Sequence, residues 1–257
     1  MHSAMKAESM SKPPKPLSMP AVWGLILGLF AVATIVASGI GYRLGWWHFT
    51  RGLQASEWAT YGAAVALVLS GFGLVQTSPR AARRGLAIAV LGLPMALFPL
   101  AMALQWEVAS RTTPPINDIS TDTADAPVFW DVPNPTDYPG ADTAALQHAA
   151  YPDLTSLKLG LTPQQAFAQA LSVAQAKGWT IVASVPAEGR IEATSSSLLY
   201  GFTDEVIVRF KAIEGGALLD VRSRSRLGRI DRGVNAKRIR AFLAALQERA
   251  AASKSQP

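Results

Sequence analysis

Three long apolar runs fill the first 106 residues and dictate what the chain can become. Pro20 to Gly41 carries no charge, and about 22 residues of helix reach roughly 33 Å, enough to cross a bilayer. Glu57 to Gln76 has a single acid at its start, and Gly85 to Trp106 is uncharged but contains Pro94 and Pro99. These runs predict transmembrane helices at 20–41, 57–76 and 85–106, preceded by a tail over 1–19. The two prolines are expected to kink the third helix, which is tolerable where neighbouring helices cover the freed carbonyls. Trp23, Trp46, Trp47, Trp58 and Trp106 fall near span ends, where interfacial aromatics belong. The first run is too long for a cleaved signal peptide, and two further spans follow it.

Direction follows from the basic residues. Lys6, Lys12 and Lys15 precede the first span, and Arg80, Arg83 and Arg84 lie between the second and third. The opposite side has only Arg43, Arg51 and Arg111, so six basic residues face three. The positive-inside rule places the N-terminus in the cytoplasm and everything after Trp106 across the membrane, in a bacterium the periplasm. Small residues line the spans, with Gly24 and Gly28 spaced as GxxxG and Gly62, Ala66 and Ser70 at the same step. Such faces suit packing among the three helices or, alternatively, a homodimer.

Beyond the spans the composition changes. Residues 112–153 are proline-rich and hold seven aspartates with no lysine or arginine, whereas 154–257 holds 15 basic and 8 acidic residues. The stretch 107–153 therefore reads as an extended linker, turning at Asn134-Pro135 and Pro139-Gly140. Its Ile116, Ile119, Val128, Phe129, Trp130, Tyr138 and Tyr151 are anchors for packing on the basic part. From 154 to 251 a compact domain is expected, leaving a tail over 252–257. "LTPQQAFAQALSVAQAKG" is a helix with Thr162 as N-cap, Pro163 next and Gln165 closing a capping box. "WTIVASV", "RIEATSS", "EVIVRFKAI" and "ALLDVRSRSRL" are strands joined by short turns, hence antiparallel neighbours. A last helix from about Gly233 to Ala251 turns Val234, the stem of Arg238, Ile239, Phe242, Leu243 and Leu246 inward. The fold class is thus membrane-anchored α+β: three transmembrane helices, then an α-β-β-β-β-α two-layer sandwich with an antiparallel four-stranded sheet.

The segments "INDIST", "YPDL", "GWTIVASVPAEGRIEAT", "YGFTDEVIVR" and "LLDVRSRSRLGRIDRGVNAKRIRAFLAAL" resemble the family known as domain of unknown function 1499, over roughly 113–250. The glycine-containing "SRSRLGRIDRGVNAKRIR" block is the most specific of them. The resemblance implies a bacterial source and a single domain. It brings no established activity, and so no catalytic residues. Ser195–Ser197 and Leu198–Leu199 depart from the threonines and tryptophan expected there.

Candidate chemistry concentrates on one sheet face. Alternation puts Leu219, Val221, Ser223 and Ser225 on one side of the last strand and Arg222, Arg224 and Arg226 on the other. Val206, Val208 and Phe210 likewise oppose Glu205, Arg209 and Lys211. Arg209, Arg222, Arg224, Arg226 and Arg229 then form a candidate site for an anion or a partner, since a guanidinium fork matches carboxylate and phosphate. The competing reading is an ion-paired surface, open to solvent or roofed by the aspartate-rich linker. Tyr200 and Phe202, in the loop "SLLYGFTD", cap the core or form the lip of a cleft or a membrane-touching tip. Asp204, Glu205 and Asp231 are the weaker candidates, as a carboxylate pair for hydrolysis. The chain has no cysteine, which removes disulfides, a thiolate nucleophile and cysteine-ligated metal. It lacks HExxH, GxSxG, P-loop and GxGxxG patterns, and neither a metal nor a cofactor is expected. The net charge of +6 would suit nucleic acid, but placement across the membrane removes that partner. The expected function is a non-enzymatic binding or assembly module at the cell envelope. An envelope hydrolase and a purely structural membrane-protein partner are the alternatives.

Overall fold

The computed structural model describes residues 14–254. Lys6, Lys12 and the last three residues of the tail lie outside that range. The chain divides into two compact units between Leu104 and Gln105.

The first unit is a bundle of α1 (Met19–Arg43), α2 (Phe49–Gln76) and most of α3 (Leu86–Thr112). All three are long and apolar enough to cross a membrane. Ser18 caps α1, its hydroxyl accepting from Ala21 N–H. The small residues carry the packing. Ser70 of α2 is buried between Gly24 of α1 and Gly92 of α3, and a methyl group at either glycine would overlap the Ser70 hydroxyl. Gly28 abuts Met95 and Ala96 of α3. The GxxxG face is therefore occupied within the chain, while Gly62 faces open space. α2 begins eight residues before its apolar run because His48 caps it: Nδ1 accepts from Thr50 N–H. α3 runs unbroken through Pro94 and Pro99.

The second unit contains β1 (Asp118–Ser120), α4 (Ala141–Ala150), β2 (Leu157–Leu159), α5 (Pro163–Ala176), β3 (Thr180–Val185), β4 (Arg190–Ser196), β5 (Thr203–Ile213), β6 (Gly216–Ser225) and α6 (Val234–Lys254). The strands form one sheet in the order β1-β6-β5-β4-β3, with β2 also paired to β6. Every pairing is antiparallel. The expected four-stranded sheet is thus incomplete. β1 and β2 share the outer edge of β6, opposite Arg222–Arg224 and Ala217–Leu219 respectively. Both are three residues long, too short to display an alternating pattern, and β1 lies inside the stretch read as linker. The close approach of β2 depends on Gly216, where a side chain would collide with the Leu159 carbonyl.

α4 is a second departure from the extended linker. It follows Pro139-Gly140 and has no side-chain N-cap, so the usual start signal is missing. It buries only Gln147, which has a definite task. Gln147 Oε1 accepts from Ser120 N–H at 2.9 Å and Nε2 donates to Ser120 O at 2.6 Å. One side-chain amide thereby satisfies the outward backbone groups of Ser120 on edge strand β1, as a further strand would.

α5 and α6 cover one sheet face. α5 is held by the Thr162–Gln165 capping box and buries Ala166, Phe167, Ala170, Val173 and Ala174. α6 buries Ala236, Ile239, Phe242, Leu246 and Ala250 against Ile191, Val206, Val208, Leu219 and Val221. Val234, expected inside, is exposed. The helix begins at that residue, and its inward stripe starts with Asn235 and Ala236. Phe242 stacks on Trp179 with ring centroids 4.9 Å apart. A fragment covering 113–254 should fold as a soluble unit. Within it Phe242→Ala should lower unfolding stability by about 3–5 kcal/mol, measured by chemical denaturation. A loss below about 1 kcal/mol would show that α6 is not docked through this ring.

Candidate functional site

The charged sheet face is covered. The acidic stretch between β1 and α4 crosses it as a strap, and the arginines point into the strap. Arg222 is fully buried. Its Nε and Nη2 donate to the two oxygens of Asp118 at 2.9 and 2.8 Å. Nη1 donates to Pro127 O, and Nη2 also to Thr136 O, both at 3.0 Å. The guanidinium lies 5.0 Å from the Phe129 ring centroid and 5.8 Å from that of Tyr138. Arg224 sits over the same Phe129 ring at 4.7 Å. It pairs with Glu205 and donates to Asn134 O and to the Thr136 hydroxyl. Phe129 is thus gripped by two guanidiniums, and with Val132 and Ile207 it makes a small second core.

Two more attachments hold the strap. Glu192, fully buried, accepts backbone N–H bonds from Trp130, Asp131 and Val132 and a guanidinium bond from Arg190. Burial opposes the charge on Arg190, but Asp131, Glu188 and Glu192 outweigh it and hold its pKa above the ordinary value. Arg209 reaches Asp122, Asp125 and the buried Asp220. Asp125 titrates below its ordinary range, chiefly through the hydrogen bond from Lys211 and then the charge of Arg209. The phenol of Tyr138 is pushed up to about 12 by burial and the nearby Asp118 carboxylate.

The cover ends beyond Arg224. There a cleft of about 320 Å³ opens, lined among others by Asn117, Asn134, Thr136, Glu205, Arg224 and Arg226. Arg226 spends Nε on Glu205 at 3.0 Å, and its two terminal nitrogens make no hydrogen bond among the described residues. Arg229, in the loop that borders the cleft at Gly228, is exposed. Around the cleft Arg222, Arg224 and Arg226 face Asp118 and Glu205, which leaves one positive charge, on the Arg226 side.

The five candidate arginines therefore divide. Arg209, Arg222 and Arg224 bind the strap, and Arg226 and Arg229 flank the opening. Tyr200 and Phe202 stack face to face at 5.0 Å at the β4–β5 tip, and neither lines the cleft. Of the acids, Glu205 lies between Arg224 and Arg226, and Asp204 pairs with Arg238 at 2.5 Å. Asp231 accepts from Gly233 and Asn235 N–H at 2.8 Å and so caps α6. Burial, with a smaller push from Asp204, raises the Asp231 pKa above its ordinary value. Each carboxylate is engaged by a structural donor. Asn134 and Thr136 went unnoticed in the sequence. The turn at Asn134-Pro135 was legible, but not the strand on which it lands some ninety residues later.

These features define a class: an α+β domain with its charged sheet face closed by its own N-terminal strap, joined to apolar helices long enough to span a membrane. The family model described as protein of unknown function (DUF1499) matches residues 118–246, and the chain belongs to that family. The match opens at the first residue of β1, so the family's domain includes the strap. A comparison with curated proteins finds no match.

The burial sets the energetics. An exposed ion pair contributes about 0–1 kcal/mol, but removing one partner of a buried pair costs about 3–5 kcal/mol, because the other is left buried and unpaired. Arg222→Ala should therefore destabilise the domain by about that amount. The double change Arg222→Met with Asp118→Leu should recover most of the loss. Urea titration of the four variants of the cycle checks both, and near-additive losses would mean that the two groups are not coupled.

Proposed function

We propose that this chain is a bacterial inner-membrane protein that carries its domain on the periplasmic side, where the domain binds an anionic group of an envelope component or partner protein. The observation that carries the reading is the open cleft beside the strap, with the uncommitted end of Arg226 at its rim. Carboxylate and phosphate are the groups that a guanidinium fork recognises. The Thr136 hydroxyl, which accepts from Arg224, keeps its own hydrogen to donate and also lines the cleft. The orientation is supported by the six basic residues on the N-terminal side of the spans against three on the other. Binding, not turnover, is favoured because Asp204, Glu205 and Asp231 already hold arginines or backbone N–H groups.

Calorimetry on the full-length protein, with inorganic phosphate and citrate as probes, tests the site. Binding should weaken as salt rises, since charges are screened within about 10 Å at 0.1 M. It should be lost in Arg226→Gln, while stability changes by no more than about 1 kcal/mol, as befits a part-exposed pair. Equal binding by the variant, or no binding of either anion, would remove the assignment. For orientation, alkaline phosphatase fused after Pro257 should be active, and a fluorescent protein that matures only in the cytoplasm should stay dark there. The opposite pattern would reverse the topology.

A further inference from the structure

One end of the sheet is built unlike the other. The β4–β5 tip (197–202) and the β6–α6 loop (226–233) lie side by side there, joined by Arg226 N–H to Thr203 O at 3.1 Å. Leu198 at the tip is 93% exposed, and Leu227, Ile230 and Val234 of the neighbouring loop and helix start are 44%, 42% and 48% exposed. Four large aliphatic side chains thus project, one almost wholly and three by nearly half, from two adjacent loops and the helix start. Behind them the loops are firmly built. Tyr200 and Phe202 stack in parallel within the tip, Gly201 N–H closes the tip on Ser197 O at 2.9 Å, and Asp231 caps the start of α6. Arg229, Arg232 and Lys237 supply positive charge from the same loop and the first turn of α6, where the acid present, Asp231, is buried in its capping role.

The position of this end along the chain is also known. The Arg232 guanidinium lies 3.9 Å from the ring centroid of Trp106, and Gly233 packs close to Thr113. The β6–α6 loop therefore rests on the final turns of α3, beside the tryptophan that closes the third apolar run. A tryptophan in that place belongs at the lipid–water boundary. A guanidinium stacked on it is at headgroup depth, and aliphatic tips interspersed with arginine and lysine are what an anionic bilayer surface binds.

We propose that the β4–β5 tip and the β6–α6 loop rest on the phospholipid surface from which α3 emerges, with Leu198, Leu227 and Ile230 in the interfacial layer and Arg229, Arg232 and Lys237 against anionic headgroups. The contact gives the domain a second, non-covalent hold on the bilayer and fixes which end of the sheet faces it. It rests on α3 crossing a membrane and is independent of the anion cleft, because it requires neither the free end of Arg226 nor a particular side of the membrane.

The absence of native cysteine makes the test direct. Leu198→Cys, Leu227→Cys and Ile230→Cys, and Glu214→Cys at the exposed β5–β6 turn on the opposite end of the sheet, are made one at a time in the full-length protein. Each is labelled with an environment-sensitive fluorophore and placed singly in nanodiscs containing phosphatidylglycerol and a headgroup-nitroxide lipid. Quenching and a blue shift are expected at 198, 227 and 230 but not at 214. Quenching should fall when phosphatidylcholine replaces phosphatidylglycerol and when Arg229→Glu is added. Quenching at 198, 227 and 230 no greater than at 214 overturns the proposal. So does a blue shift without lipid quenching, which would indicate that protein, not lipid, covers these side chains.

Discussion

The bidentate pairing of Arg222 with Asp118 is the interaction on which the rest of the domain depends. It sits at the β1 edge of the sheet's charged face, where a guanidinium on β6 meets a carboxylate on β1 with both groups removed from water. Desolvating two charges costs several kcal/mol, and their attraction offsets that only when the remaining donors are also used. Two of the three are: strap carbonyls accept one hydrogen each from Nη1 and Nη2, and the Phe129 and Tyr138 rings flank the cation. An apolar pair of similar volume could match the stability, but it could not read the register of an irregular strap. Carbonyls of Pro127 and Thr136, nine residues apart, reach one guanidinium only when the chain between them takes one path.

Glu192 works by the same logic with the charges reversed. Three successive strap N–H groups converge on one buried carboxylate. A proline-rich strap cannot satisfy its own backbone by forming a helix or a ladder, so its polar groups must find side chains. The sheet supplies both kinds, guanidiniums for the carbonyls and a carboxylate for the amides. The strap's aspartates meet Arg190 of β4 and Arg209 and Lys211 of β5, while the β6 arginines take its carbonyls, so both biased segments are satisfied inside a single chain.

This explains which parts could be read in the sequence. Periodicity disclosed the apolar spans, α5 with its capping box, the four longer strands and the core residues of α6, because each pattern is local and long enough to repeat. The assignment of Arg222 and Arg224 to one face followed from the same alternation. That the aspartate-rich stretch roofs the face was one of the two readings its composition offered, but the individual pairings did not follow, since Asp118 and Arg222 are 104 residues apart and nothing local marks them as partners. β1 and β2 carry three residues each, and α4 starts without a cap and buries only a glutamine, so propensity and patterning are silent about all three. Val234 was misplaced for a related reason: α6 starts at that residue, one after the expected Gly233, and its inward stripe begins with Asn235 and Ala236.

The commitment of the arginines declines along the chain as β6 leaves the strap. Arg222 uses every nitrogen internally. Arg224 divides its donors between Glu205 and the strap's turn, Arg226 spends only Nε on Glu205, and Arg229 lies exposed in the loop. The strand's twofold alternation repeats the residue type while the covering layer runs out, so one sequence pattern yields structural clasps at one end and available cations at the other. The uncommitted cations lie beside exposed leucine and isoleucine and near the residues that follow the third span, whereas the β5–β6 turn at the far end presents Glu214 and glycine. Charge, apolar exposure and chain connectivity thus change together along the sheet. A strap designed only to neutralise the arginines would have continued over Arg226, and its turning away at Asn134 leaves the cleft and the loop beyond it accessible.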